Sequence, residues 1–154
     1  MINKPALILL VSMAITLTAM GTPNLTGTWK LNVDKSDFGP LPPPYSLEER
    51  IEHKEPSLVV DWKYSGAEGA LSGTSTYKTD GSKSSNLFGE IEIVSTTAWE
   101  GDSLKIESVG MMGGMEIEFQ DTWKLSEDGQ TITIDRFMTS AMGDANQTLV
   151  LEKQ

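Results

Sequence analysis

The sequence predicts an all-β fold, a single antiparallel up-and-down β-barrel of about 8–10 strands. Two observations support this prediction. Beyond residue 26, β-branched and aromatic residues alternate with polar ones in short segments such as EIEIVSTTAW and QTITIDRFM. This is the period-two pattern of strands with one buried face. Turn signals rich in Gly and Asp separate these segments. A β-sandwich of meander type is the alternative architecture.

The N-terminal stretch 1–21 is predicted to be a secretory signal peptide rather than part of the fold. A lysine precedes an apolar run at 6–17, and small residues follow at the spacing of a cleavage site. The run is marginal for a membrane-spanning helix, so no membrane span is expected in the mature chain. We therefore expect one domain at 22–154 and a secreted or periplasmic location.

The composition argues against several classes of function. Without the signal segment the chain has 11 basic and 22 acidic residues, a net charge of −11. Nucleic acid and anionic lipid both require a basic surface, so neither is expected as a partner. There is no Cys, and His53 is the only His. A zinc site and a Ser-His-Asp triad are therefore not expected, and no cofactor is predicted.

The alternation divides the folded part into ten strands. In order they are 27–33, 46–54, 58–65, 70–78, 83–88, 91–99, 104–110, 115–125, 131–139 and 146–153. Tight turns, three of them with Asp-Gly or Gly-Asp pairs, are predicted at 54–57, 79–82, 100–103 and 126–130. They alternate along the chain with connections that we expect to be looser. An up-and-down order then gives a barrel with one closed end and one open mouth.

The first and last strands carry a signature of their own. Trp29 lies in a Gly-x-Trp motif, and Lys153 ends the last strand. These strands are neighbours in a closed barrel, so the Lys153 side chain is expected to lie across the Trp29 indole. With GTWKLNVDKSDFGPLPPP, YKTDGSK, WKLSEDGQTITI and LVLEKQ, this motif resembles the calycin signature of lipocalins and fatty-acid-binding proteins. The chain looks most like small secreted bacterial lipocalin-like proteins. The resemblance implies a barrel that binds a small molecule.

The Asp-Gly turn at 128–129 predicts the register of one long hairpin. It places Asp121 opposite Arg136 and Phe119 opposite Met138. Their shared face is otherwise apolar and is expected to face inward, because a shift of one residue would bury the charged opposite face. The two interior charges have two interpretations. They form an ion pair that fixes the register, or Arg136 offers its fork to a ligand carboxylate while Asp121 holds the guanidinium.

The inward faces also predict the lining of a pocket. The candidate ligand-binding residues are Arg136, Asp121, Trp62, Tyr64, Phe119 and Met138. Small or hydroxyl-bearing inward residues are expected to leave open volume near the mouth; they are Gly73, Ser75, Ser95, Thr97 and Ser108. The mouth itself is predicted to carry the proline-rich segment FGPLPPPY and several methionines. These methionines either plug the barrel or form an entry portal for an apolar ligand.

Three classes of function stay open from the sequence. The first is an exported protein that binds or carries a small apolar or amphipathic molecule in the barrel. The second is an isomerase- or cyclase-type enzyme in which Glu49 or His53, both on the inward face of the second strand, acts as acid or base. The third is an interaction scaffold with a plugged core. The carrier is the prediction we favour, and a catalytic role is the less expected one.

Overall fold

The computed structural model describes residues 21–154, which fold into ten strands and one short 3-10 turn. The strands are β1 (Gly27–Leu31), β2 (Ser46–Lys54), β3 (Ser57–Gly66), β4 (Gly69–Lys78), β5 (Asp80–Phe88), β6 (Ile91–Glu100), β7 (Ser103–Met112), β8 (Met115–Leu125), β9 (Thr131–Ser140) and β10 (Gly143–Lys153). The 3-10 turn, Val33–Lys35, follows β1, where the sequence suggested two more residues of strand. The predicted signal peptide lies outside the described residues, except for Gly21.

The strands form one antiparallel sheet that curls into a barrel. Its order is β4-β3-β2-β1-β10-β9-β8-β7-β6-β5, so each strand pairs with its neighbour in the chain and β1 also pairs with β10. This confirms the predicted up-and-down barrel and rules out the sandwich. The two edges of the sheet, β4 and β5, face each other along a line that we call the β4–β5 seam.

A side chain bridges the β4–β5 seam where the backbone ladder is missing. The Oδ1 of Asn86 accepts a hydrogen bond from the Thr76 backbone N–H at 2.7 Å, and its Nδ2 donates to the Thr76 carbonyl at 3.1 Å. The Asn86 amide therefore takes the place of one backbone pair between the two edge strands.

The turns alternate between the two ends as predicted, but the expected difference in their lengths is wrong. At the open end the chain reverses in two-residue turns at 67–68, 89–90, 113–114 and 141–142. Glycines with positive φ lie in or beside each of these turns, and such backbone angles allow the tightest hairpins. The hairpin turn at 126–130, at the closed end, is longer. The open end does hold one long connection, the proline-rich segment between β1 and β2.

The closed end is sealed as the sequence predicted. Trp29 is fully buried, lies opposite Lys153 in the β1–β10 pair, and has the lysine Nζ 5.5 Å from its ring centroid. Its indole Nε1 donates to the Leu25 carbonyl at 2.9 Å. The buried apolar core fills this half of the barrel; its fully or almost fully buried members include Leu25, Ile51, Leu58, Leu104, Ile132, Ile134 and Leu151.

The open end has the opposite character. The large apolar side chains that are exposed lie in this half of the barrel or in the proline-rich connection: Leu41, Tyr45, Leu71, Leu87, Phe88, Val94, Val109, Met111, Met112 and Met142. Three of the predicted rim methionines are among them. The fold thus buries its apolar residues at one end and leaves an apolar rim at the other, which we call the mouth.

Candidate ligand site inside the barrel

The polar centre of the site is an ion pair between β8 and β9. Asp121 lies opposite Arg136, as predicted. The Arg136 Nε donates to Oδ1 at 2.8 Å and Nη2 donates to Oδ2 at 2.7 Å, a bidentate pair. Burial opposes the charge of Arg136, but the Asp121 carboxylate outweighs it and raises the pKa of the guanidinium above its ordinary value. The guanidinium of Arg136 is therefore charged at neutral pH.

The predicted apolar wall stands beside this pair. Phe119 lies opposite Met138, both half-buried, and the Arg136 guanidinium carbon is 5.6 Å from the Phe119 ring centroid. Trp62 and Tyr64 are on β3, halfway around the ladder from β8. The structure thus brings four of the six candidate residues together on one hairpin and places the other two on the opposite wall.

Phe88 joins this opposite wall, although it was not among the residues predicted from the sequence. Its ring stacks on Trp62 with centroids 5.0 Å apart and meets Tyr64 edge-on at 6.2 Å. Phe88 ends β5 beside the β4–β5 seam and is partly exposed. Phe88 lies opposite Ile91 and follows Ser84 and Asn86 at intervals of two residues, so the three side chains share one face of β5. This alternation was the sequence signal from which the position of Phe88 could have been predicted.

The volume expected beside the small inward residues is partly filled, which corrects that prediction. A Cβ atom at Gly73 would come within 2.7 Å of the Trp62 indole, so the glycine is small because the indole lies over it. The indole Nε1 also donates to the Ser75 Oγ at 3.1 Å. Ser95 and Ser108 share a hydrogen bond of 2.7 Å. Small residues here make room for protein groups as well as for a ligand.

Two concave regions of about 380 and 180 Å³ lie on the outer wall and not in the lumen. They are lined mostly by outward-facing polar residues of β7–β10, such as Gln120, Thr122 and Asp135. Ligand pockets are usually apolar with a few polar groups, so the outer regions lack the composition of such a pocket. The inward wall of Phe119 and Met138 around the ion pair has it.

Glu49 is a second buried charge-bearing group in the lumen. It faces inward on β2, between Trp29 on β1 and Trp62 on β3, and is 9% exposed. Its Oε2 is buried and has no hydrogen-bond partner among the described residues. Burial raises the pKa of Glu49 to about 7; the charge of Arg136 opposes the rise and that of Asp121 adds to it. Glu49 therefore changes its charge near neutral pH.

Tyr77 completes the set of inward polar groups, although it was not among the residues predicted from the sequence. It lies on the inward face of β4, opposite Leu58. Burial raises the pKa of Tyr77 to about 12, against a hydrogen bond from Ser75, and Glu49 adds to the rise. The phenol stays neutral at physiological pH. We call Glu49, Tyr77, Asp121 and Arg136 the lumen polar cluster.

His53, the other predicted acid or base, is separate from that cluster. Its Nδ1 accepts from the Leu25 backbone N–H at 3.3 Å, and its Nε2 lies 2.9 Å from the Glu55 carboxylate. The ring also packs against Trp99, with centroids 5.9 Å apart. These contacts tie the N-terminal segment to the closed end, which is a structural role. Within residues 21–154 no group of acidic, His or Cys side chains could hold a metal ion.

Comparisons with known proteins identify the architecture. No protein-family model and no curated protein matches the chain. Solved structures do. Zebrafish ileal bile acid-binding protein complexed with cholic acid is 14% identical, with 84% of this chain and 98% of that chain covered and a TM-score of 0.55. Human cRBP IV is 13% identical, with 86% and 99% covered and a TM-score of 0.55.

Secretory abundant heat soluble protein 4 from Ramazzottius varieornatus is similar to the same degree. It is 13% identical, with 88% of this chain and 99% of that chain covered and a TM-score of 0.57. In the part of the chain that is described, no helix is long and apolar enough to cross a membrane. At these identities the similarity concerns the fold. The barrel has Trp29 and Lys153 at its closed end, and its fold is the calycin-type barrel of these solved structures.

Proposed function

We propose that this protein binds and carries a small amphipathic or apolar molecule inside the barrel, with the polar part of the ligand near the lumen polar cluster. The observation that carries the proposal is the Asp121–Arg136 pair, which lies inside the barrel next to the half-buried wall of Phe119 and Met138. If the lumen were only a filled core, apolar side chains would stabilise it at least as well as a buried ion pair does. A ligand pocket, in contrast, needs a few fixed polar groups on an apolar wall.

The mouth supports the same proposal. Its exposed apolar rim offers an apolar molecule a surface on the way in, and adaptable methionines belong to that rim. Phe88 covers Trp62 and Tyr64 beside the β4–β5 seam, so we expect its ring to move when a ligand enters. One similar structure fits this function, because it is a bile acid-binding protein complexed with cholic acid. We further propose that the chain acts after export, on the strength of the N-terminal sequence.

A filled lumen would test the proposal. Met138→Trp adds an indole to the inward wall opposite Phe119, whereas Phe137→Trp adds one to the outward face of the same strand. We expect native mass spectrometry of the protein purified from its own host to detect a bound small molecule in the parent chain and in the Phe137→Trp variant. Met138→Trp should weaken that binding by about tenfold or more, because overpacking a lumen wall excludes the ligand.

Two results would contradict the proposal. One is equal ligand retention by the inward and outward tryptophan variants. The other is absence of a bound molecule together with no change in tryptophan fluorescence when apolar alcohols, acids and amines are added. The second result would favour the interaction scaffold with a plugged core.

A barrel enzyme is the second candidate, and Glu49 is the observation that favours it. A buried carboxyl with a pKa of about 7 is matched to proton transfer at neutral pH. The distinguishing measurement is the mass and retention time of the bound molecule before and after incubation. Conversion by the parent chain that stops in Glu49→Gln would establish the enzyme, and an unchanged molecule would leave the carrier.

A further inference from the structure

The charges inside the barrel do not favour the ligand head group that the sequence suggested. One interpretation of the Asp121–Arg136 pair from the sequence is that Arg136 binds a ligand carboxylate. In the structure, Arg136 donates two hydrogen bonds to Asp121, and both carboxylate oxygens of Asp121 accept one. The pair is neutral as a whole. A ligand carboxylate would add an uncompensated negative charge to a buried site.

Glu49 adds negative charge to the inside of the barrel when it is ionised. Its carboxyl is nine-tenths buried, faces the lumen, and has an Oε2 atom without a partner among the described residues. The strands on either side of it present Trp29 and Trp62, neither of which carries a charge. A buried carboxylate oxygen without a donor is costly. A donor that belongs to a ligand would remove this cost, and a cationic donor would do so most strongly.

The mouth has the matching electrostatic character. The four two-residue turns at the open end and the two residues on each side of them contain five carboxylates, Glu68, Glu90, Glu92, Glu116 and Asp144, and no Lys or Arg. The proline-rich segment 36–45 adds Asp37 and likewise no basic residue. A low-dielectric opening ringed by one sign of charge concentrates counter-ions and repels ions of the same sign. Cations are therefore favoured at the mouth and anions are not.

We propose that the ligand is an amphipathic amine, whose protonated nitrogen lies against the Glu49 carboxylate while its apolar part lies along Phe119 and Met138. This inference rests on the proposed function, because it assigns a chemical class to the ligand of the same lumen. Arg136 and Asp121 then hold one another and shape the polar floor of the site. This site discriminates against fatty acids and other carboxylates of similar length.

The pH dependence has a sign that separates the two ligand classes. The titratable and charged groups that act on Glu49 are Arg136 of β9, Asp121 of β8 and Tyr77 of β4. The phenol of Tyr77 stays neutral, and Glu49 is the group whose pKa lies near neutrality. Amine binding requires the carboxylate and should strengthen as pH rises from about 5.5 to about 8.5. Carboxylate binding should weaken over the same range.

Three probes that share the same alkyl chain and differ in their head groups test the inference: dodecylamine, dodecanoate and dodecanol. Each is used below the concentration at which it self-associates. Isothermal titration calorimetry would give their affinities for the chain near both pH values. We expect dodecylamine to bind about tenfold more tightly than dodecanoate at the higher pH, the effect of one charge-assisted hydrogen bond. Glu49→Gln should abolish this preference.

Glu48→Gln is the matched control, because it removes one negative charge from the neighbouring, outward-facing and exposed position. It should leave the amine preference intact. The inference is overturned, and the carrier function retained, if dodecanoate binds as tightly as dodecylamine or if Glu48→Gln and Glu49→Gln have equal effects. If none of the three probes binds at either pH, the proposed function fails and the inference fails with it.

Discussion

Burial sets the ionisation of Glu49, the inward carboxyl of β2. The pKa of this group is about 7 in the folded chain against an ordinary value of 4.5. A raised carboxyl pKa means that the folded state holds the proton more tightly than the unfolded state does. The contribution of Glu49 to stability is therefore complete below about pH 4.5 and is lost as pH rises through about 7.

The first prediction follows from this sign. Between about pH 5 and pH 8 the free energy of unfolding should fall by about 3 kcal/mol because of Glu49. Glu49→Gln should remove that slope and be the more stable protein at the higher pH. Urea unfolding of the parent, Glu49→Gln and Glu48→Gln across this range measures the slope. A constant difference between the parent and Glu49→Gln at all pH values would contradict the account.

The carboxyl of Glu55 affects stability in a different range of pH from that of Glu49. Partial burial favours the protonated form of Glu55, but hydrogen bonds from Thr79, His53 and Trp99 outweigh it and lower the pKa of Glu55. A group with a lowered pKa loses its stabilising effect only as pH falls below its ordinary value. Acid destabilisation from Glu55 therefore lies below the window in which Glu49 acts, so the two effects can be separated.

A second prediction concerns the ion pair. Asp121→Asn should lower the free energy of unfolding by about 2–4 kcal/mol, because the mostly buried Arg136 guanidinium would lose its counter-charge. Asp121→Leu combined with Arg136→Met should recover most of the loss. Chemical denaturation of these variants, with the exposed Glu116→Gln on the same strand as control, tests it. A double variant no more stable than Asp121→Asn would show that the pair is not the cause.

The β4–β5 seam is the distinctive feature at the scale of strands. Every other pair of adjacent strands is joined by a backbone ladder, with one irregularity in β5–β6 between Asp80 and Lys83. At the seam, in contrast, Asn86 supplies the bridging hydrogen bonds to Thr76. Local opening of a structure begins where few hydrogen bonds must break. The seam, with Phe88 beside it, is therefore the part of the wall that we expect to open first.

Asn86→Ala tests this expectation. Without the side-chain bridge, the Thr76 amide should exchange with solvent about tenfold faster, the effect of about one lost hydrogen bond. The amides of the β7–β8 ladder should keep their rates. Ser84→Ala, on the same strand and face, is the control. Hydrogen exchange followed by NMR measures both, and an unchanged Thr76 rate in Asn86→Ala would refute the role of the bridge.

The hairpin of β8 and β9 and its neighbours could be predicted from the sequence because local rules fix them. One Asp-Gly turn and the alternation of apolar residues determine the Asp121–Arg136 register. The short turn at 101–102 likewise fixes the register of β6 and β7, in which Ser95 lies opposite Ser108. These local rules say nothing about the β4–β5 seam, where no backbone ladder exists to carry a register. The Asn86 bridge and the Phe88 stack on Trp62 depend on how the barrel closes, which is a property of the whole chain.

The burial of the Glu49 carboxyl without a partner was also beyond prediction from the pattern. Alternation places the carboxyl on the inward face, but its burial and lack of a partner depend on strands distant in sequence, namely β4, β8 and β9. Turn lengths at the mouth were misjudged for a simpler reason. Several glycines at 110–114 suggested a loose loop, while positive φ at Gly113 and Gly114 makes it a tight hairpin.

At the scale of the whole molecule, the barrel has a sealed apolar end, a polar cluster inside and an apolar, acidic mouth. This polarity along one axis suits an amphipathic ligand whose head group reaches the cluster while its apolar part stays on the mouth side. The central claim is that the ligand lies in the lumen. The outer-wall regions beside Gln120 and Asp135 are the competing location.

An NMR titration of the isotope-labelled chain with dodecylamine and dodecanol would test this claim most directly. We predict shifts of the amide and side-chain signals of inward residues, above all Tyr64, Phe119 and Met138, with saturation at one ligand per chain. Outward residues such as Gln120 and Asp135 should stay unchanged. Shifts confined to the outer wall, or no saturable shifts with either probe, would contradict the account of this barrel as a ligand carrier.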